Sequence, residues 1–409
     1  MIRILKKEDC CGCTACYSSC PTSAISMKPD DEGFKYPVID LDKCVNCGLC
    51  DKVCPMQSSA KNRQQKYGAV YAIQNKNEEA RFESTAGGFF SVIADKILAG
   101  GGYVCAAGWQ GSSHIVVTHK IIHDYFGLSE MRGSKYVQSD LNDVYSEIKT
   151  LVKQGKRCLF VGTPCQVNGI RKAIGFSPLL ITIDLLCLGV SSPKIFDMWM
   201  EYLEEKYKDH VSIVLFRDKS FGYSTANVRV QFETGRKLEQ KYDAKVYLKT
   251  FFNGYNVRPS CYDCKFRSAA RVSDFTIGDY HQIAQVNKEM DDDKGTTIVW
   301  INSKEGTEIF DDIKDRITYY LIEKHHDGVV GKVTKLTKIP DDREIFYYDV
   351  NQQSFKVLIK KWVPNNIRDR LVNIMKPIIN KTPFSTMVFK AIKSRKQKAF
   401  EERVKIANQ

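Results

Sequence analysis

Two short cysteine runs limit what this chain can fold into more than any other feature. Residues 10–21 read CCGCTACYSSCP and residues 44–55 read CVNCGLCDKVCP. Both satisfy C-x2-C-x2-C-x3-C-P, the spacing that holds a pair of [4Fe–4S] cubanes. Cysteines at i, i+3 and i+6 wind a short loop around one face of a cubane, so three thiolates reach three irons while backbone amides point at the sulfides. The fourth ligand comes from the other run: Cys10, Cys13 and Cys16 take Cys54, while Cys44, Cys47 and Cys50 take Cys20. Pro21 and Pro55 end the loops because proline cannot continue a helix.

Between the runs, AISM, the turn-forming KPDDEG and KYPVID read as a β-hairpin, which completes the two-fold plan of a bacterial ferredoxin. Zinc knuckles or a disulfide framework fit less well. Zinc sites take two ligand pairs across a long spacer, whereas each run here supplies four cysteines within eleven residues. Cys11 stands outside both patterns and reads as a bystander.

At 409 residues the chain is too long for one ordinary core. We expect an α/β fold, α+β overall, with a ferredoxin-like module at residues 1–60 fused to an α/β body. The polar linker QSSAKNRQQK (57–66) separates them. The body divides into 67–150 and 151–345, and a basic helical tail follows at 346–409. MIRILKKEDC has no apolar leader, and the cysteines sit at cluster spacing, so a reducing, cytoplasmic setting is expected. The apolar run Leu179–Val190 is interrupted by Asp184 and too short to span a bilayer.

The net charge of +13 is uneven: from Ser354 onward there are 14 Lys and Arg against 3 Asp and Glu, which leaves only +2 for the rest. Such a tail suits peripheral contact with an anionic membrane or an acidic redox partner. A helical cap with a frayed basic end is the plainer alternative. Nucleic acid is not expected, because no binding motif accompanies the charge.

Along the body, strand-like and helix-like segments alternate. GAVYAIQN, YVCAAGW, HIVVTHKII, RCLFVG and LLITIDLLCLG read as strands; GGFFSVIADKILAG, LNDVYSEIKTLVKQG, PCQVNGIRKAIG and SPKIFDMWMEYLEEKYK read as helices. VSIVLFRD and NVRVQFET form a hairpin, a helix covers 243–255, and DFTIGDY and TTIVWINS are further strands.

Four cysteines of the body draw notice. Cys165 follows a strand at the start of a helix, and Cys187 ends the next strand. In open α/β sheets ligands gather at the carboxyl ends of strands, so these two can face one crevice. Cys261 and Cys264 form a CxxC in a loop, which suits metal ligation. Together the four would complete a third [4Fe–4S] cluster; a redox dithiol or half a zinc site are the other readings of the CxxC. Cys105 and Cys158 read as small buried hydrophobes.

Three loops have the character of cofactor binders. STAGG (Ser84, Thr85, Gly87 and Gly88 in particular) directly precedes a helix, where a phosphate meets free amides and the positive helix end. RGSKY (Arg132, Gly133, Ser134, Lys135, Tyr136) is an anion-loop candidate, and Gly162 and Thr163 lie at a strand end. Set around one crevice, the three favour a flavin dinucleotide. Turns, caps and a solvated surface loop are the alternatives.

STAGGFFS, RGSKYVQSD, LFVGTPCQVNGI, IDLLCLGVSSP, RPSCYDCKFRS and SDFTIGDYH, in this order, resemble the coenzyme F-420 hydrogenase/dehydrogenase beta-subunit family over roughly residues 68–340. The resemblance implies FAD among the three loops, a cluster on Cys165, Cys187, Cys261 and Cys264, and an oxidoreductase that joins a redox partner protein or small electron donor to an organic two-electron acceptor. A non-catalytic electron-transfer subunit and a cluster-bearing scaffold are the alternatives; no catalytic residue is assigned. Two departures stand out: Ala86 where members commonly carry serine, and His281 where the motif places tryptophan after GDY. His281 is a candidate proton donor.

Overall fold

The computed structural model describes residues 1–57, 68–111, 114–268, 270–323 and 337–365. The expected hairpin forms from β1 (Ile25–Pro29) and β2 (Lys35–Ile39), paired antiparallel with Ile25 opposite Ile39. Asp30 closes its turn by accepting from the amides of Glu32 and Phe34.

The body is built on one mixed sheet. It contains β3 (Val70–Asn75), β4 (Tyr103–Gln110), β5 (Val116–Ile122), β6 (Cys158–Gly162), β7 (Leu180–Leu185), β11 (Phe275–Asp279), β12 (Thr297–Ile301) and β13 (Ile317–Leu321). Their order is β13-β3-β12-β11-β7-β6-β4-β5. Strands β4, β6, β7 and β11 run parallel, and β12 is antiparallel to both β11 and β3. The carboxyl ends of β3, β4, β6, β7 and β11 therefore share one edge of the sheet, where crossover topology leaves a crevice. Strands β6 and β12 are buried at every position, the unbroken apolar pattern of a strand covered on both faces.

A second, three-stranded sheet is inserted between β7 and β11: β8 (Val211–Asp218), β9 (Asn227–Phe232) and β10 (Lys237–Glu239). It packs with the helices Pro193–Tyr207 and Tyr242–Phe252 around Trp199, Phe216 and Tyr247. The rings of Trp199 and Tyr247 stack at 5.0 Å.

Two expectations need adjusting. The large sheet takes strands from both 67–150 and 151–345, so that division runs through one core, and the helix Val144–Lys153 spans it. The expected start of the tail falls inside the helix Arg343–Gln352. That helix and Phe355–Trp362 bury Phe346, Phe355, Leu358 and Ile359 in the same core as Trp199. Lysines dominate the local composition there, but the apolar residues fall on one helical face, and that face decides burial. The basic remainder, 366–409, lies outside the described residues, as do the linker residues 58–67.

No described helix is long and apolar enough to cross a membrane.

Candidate electron-transfer site

Each cysteine run folds as its spacing requires. The first turns through Gly12 and Thr14, both at positive φ, into the helical turn Ala15–Ser18; the second turns through Asn46 and Gly48 into Leu49–Lys52. Cys10, Cys13, Cys16 and Cys54 line one cavity, of about 310 Å3 empty volume. Cys20, Cys44, Cys47 and Cys50 line another, of about 350 Å3. Each cavity thus brings three cysteines of one run to the fourth of the other. Among the described residues no three His, Cys, Asp or Glu side chains converge tightly enough to grip a single ion. The thiols stand around each cavity instead, which fits a cubane rather than one metal.

The module is bolted to the body. Arg258, fully buried, donates to the Cys10 carbonyl at 2.8 Å, to Gln138 at 2.9 Å and to the Lys35 carbonyl at 3.1 Å, with its guanidinium 4.4 Å from the Tyr36 ring centre. Arg343 holds Glu32 of the hairpin turn through both carboxylate oxygens. Gly12 is required by this contact: a Cβ there would stand 2.6 Å from Gln138 Nε2 and 2.8 Å from Arg258 Nη1.

On the body side, Cys165 opens the helix Pro164–Ile174 directly after β6, and Cys187 follows β7. Cys261 and Cys264 sit beside the Ser191–Val257 bridge. The four come together. Burial and then Cys165 push the Cys187 thiol up to about 12; burial followed by Cys187 and Cys165 raises Cys261; burial followed by Cys165 raises Cys264. A Cβ at Gly189 would lie 3.4 Å from that of Cys261.

Cys11, which no motif assigned, lies between the two groups of thiols. Its side chain is in hydrogen-bonding contact with Cys13 and with Cys165. Gly169, one turn along from Cys165, faces Cys13, whose sulfur would be 3.1 Å from a Cβ placed there. Spacing could not reveal this, because it depends on how the module docks.

The flavin-loop candidates meet only in part. Thr85 and Ser134 join the STAGG and RGSKY loops: their hydroxyls are 3.0 Å apart, and the Ser134 amide donates to Thr85 at 2.7 Å. Gly162 and Thr163 instead reach the following segment through Gln166, which accepts from the Thr163 amide at 2.8 Å and donates to Ser139 at 3.1 Å. Ser84 donates to the Ala80 carbonyl, and Gly87 packs too closely on β3 and Thr297 to carry a side chain. Gly88, at φ +83, starts the helix Phe89–Ala99. The two cations of RGSKY are engaged internally: Arg132 binds Glu83 and Ser91, and Lys135 turns back onto the carbonyls of Glu130 and Arg132.

A pocket that sequence reasoning missed adjoins these loops. Arg217 of β8 lies 3.2 Å from Asp279 of β11 and 5.4 Å from the Tyr223 ring centre, beside Tyr136. Neither Arg217 Nη2 nor the Tyr223 hydroxyl, both buried, completes an aligned hydrogen bond. His281 stacks on Tyr223 at 5.1 Å, with its Nε2 3.6 Å from Asp279. Tyr223 touches the glycine loop through Gly295 and Ala86, and the field of Cys187 acts on Tyr136. Lys219 closes the wall: its buried amine donates to the carbonyls of Arg81, Ala86 and Lys294, each at 2.7 Å. Only the spatial pairing of β8 with the crevice exposes this cluster, so the one signal available was the unusual histidine after GDY.

The family model for the carboxyl-terminal region of the coenzyme F420 hydrogenase/dehydrogenase beta subunit matches residues 155–326, which contain all four body cysteines. The chain belongs to this family. Two 4Fe-4S dicluster models match in front of it, at 9–58 and 36–83. The F-type subunit of the F(420)H(2) dehydrogenase from Methanosarcina mazei is 23% identical over 196 residues, 45% of this chain and 55% of that protein, so the match spans about half of the relative. The pyruvate synthase subunit PorD of Methanocaldococcus jannaschii is 38% identical over 63 residues, 15% of this chain and 69% of its own length. One polypeptide in the F420-reducing [NiFe] hydrogenase complex from Methanosarcina barkeri overlays with a TM-score of 0.44 at 16% identity, covering 75% of this chain and 97% of that one. At that score the likeness carries no argument. This beta-subunit relative is thus an iron–sulfur electron-transfer protein of oxidoreductase type.

Proposed function

We propose that this chain moves electrons between two ferredoxin-type clusters and an organic two-electron acceptor, by way of a third [4Fe–4S] cluster on Cys165, Cys187, Cys261 and Cys264 and an FAD held by the 84–88 and 132–136 loops. The observation that carries the reading is the placement of those four thiols between the docked module and the Arg217 pocket. Clusters supply one-electron steps, and flavin supplies the change to two.

The chain's own residues do the rest. Arg258 and Arg343 fix the spacing between the module and the inner thiols. Arg217 places a positive charge where an aromatic ring gains electrons, and burial makes that charge count for more than it would in water. Tyr223 and His281 offer a stacking face. His281, exposed at the pocket mouth and paired with Asp279, can take a proton from water and hand it inward. Anaerobic purification followed by a visible spectrum and a flavin assay on the denatured protein tests the reading. Flavin in the supernatant supports it, and a protein with iron but no flavin contradicts it.

A further inference from the structure

The two ferredoxin cavities are not equivalent. The cavity of Cys10, Cys13, Cys16 and Cys54 is the one beside Gly169, Arg258 and Cys11, so it faces the body. The cavity of Cys20, Cys44, Cys47 and Cys50 lies at the far end of the module, and Cys47 there is exposed. Around it Leu41, Val45 and Leu49 are 69%, 65% and 39% exposed. An open depression lined by Met1, Arg3, Leu41, Cys44 and Asn46 borders the same loop. Three adjacent apolar side chains on a short, otherwise polar loop are what a binding surface leaves uncovered. The rim charges are unequal: Lys43 is neutralised by Asp40 at 3.1 Å, whereas among the described residues no carboxylate lies within ion-pair reach of the exposed Arg3 and Lys52.

We propose that the 41–49 loop is the docking surface for a small acidic one-electron carrier protein, which exchanges electrons with the outer cluster through the edge at Cys47. Electron transfer weakens steeply with separation, and this is the cluster whose ligand reaches solvent. One electron leaves the carrier's reduced centre and enters the outer cluster; no bond forms or breaks. The apolar side chains exclude water at the contact, and Arg3 and Lys52 steer an acidic surface toward it, as expected for a brief, salt-sensitive redox encounter. The inference rests on the two ferredoxin clusters alone and not on FAD or the third cluster.

The test uses the full chain, purified without oxygen and assayed for iron, with a reduced low-pI ferredoxin as the probe. Binding of labelled ferredoxin and the bleaching of the outer cluster are followed at low and high salt for wild type, for L41E/V45E and for R3E/K52E. All the substituted positions are exposed, so folding and iron content should persist, and reduction by dithionite serves as the control. Transfer from ferredoxin should fall about tenfold or more in both variants and weaken with salt in wild type. Unchanged binding and transfer in L41E/V45E would overturn the proposal. So would a wild-type dimer, or vesicle binding, that L41E/V45E abolishes while ferredoxin transfer persists. A wild-type protein without iron would instead overturn the cluster reading beneath it.

Discussion

Cys11 carries no ligand role in the cysteine pattern, yet it places a third sulfur between Cys13 and Cys165. Replacing it with alanine should leave iron content unchanged and slow the passage of electrons from the module to the body, as read by stopped-flow bleaching of the separate cluster signals. Loss of about four irons in Cys11→Ala would make it a ligand and refute the assignment. Arg217 is the other residue whose role depends on folding. Arg217→Gln should reduce flavin retention or acceptor affinity by about tenfold, the loss of one charge-assisted contact in a buried pocket, with iron unaffected. A full complement of flavin and unaltered affinity would exclude it. The eight module cysteines could be read from sequence because ligand spacing within a run is local. Cys11 and Arg217 could not, because each acquires its meaning from a segment more than sixty residues away: Cys165 for the first and Asp279 for the second.

Among the elements, β5 holds a titration built into the core. His119 is 5% exposed, stacks on Phe160 at 5.3 Å and places Nε2 3.0 Å from the Val161 carbonyl, while its Nδ1 has no partner. Burial lowers its pKa from 6.5 to about 4. Between those values the unfolded chain takes up a proton that the folded chain refuses, so stability is complete above pH 6.5 and is lost as the pH falls toward 4, by roughly 3 kcal/mol in all. His119→Gln should flatten the fall in the apparent thermal midpoint between pH 6.5 and 5; an equally steep fall would assign the acid sensitivity elsewhere. The hairpin β1–β2 is pinned through Glu32 to Arg343, a pair that is 8% and 11% exposed. Glu32→Ala alone leaves a buried cation and should cost about 3–5 kcal/mol, whereas Glu32→Leu with Arg343→Met should recover most of that. Faster amide exchange at residues 30–36 in the single variant, and near wild-type exchange in the double, is the expected result. Equal exchange in both would show that the pair does not hold the hairpin. These strands and helices were largely legible because apolar periodicity is a local signal. The insertion of β8–β10 between β7 and β11, and the burial of Phe346 and Leu358 in a lysine-rich stretch, were not, since neither is decided by local composition.

For the molecule as a whole, the body cysteines gather where β6 and β7 end, and the module seats its inner cavity against them through Arg258. The order along the chain becomes an order in space: outer cavity, inner cavity, body thiols, then the Arg217 pocket. Sequence supplied the members of each group, but their succession follows from docking. The most direct measurement is iron, acid-labile sulfide and flavin per chain after anaerobic purification, for wild type and for Cys165→Ser/Cys261→Ser. Wild type should hold about twelve irons with matching sulfide and about one flavin, and the variant should hold about eight irons with the ferredoxin signals intact. Zinc in place of iron, or about eight irons in both proteins, would contradict the account.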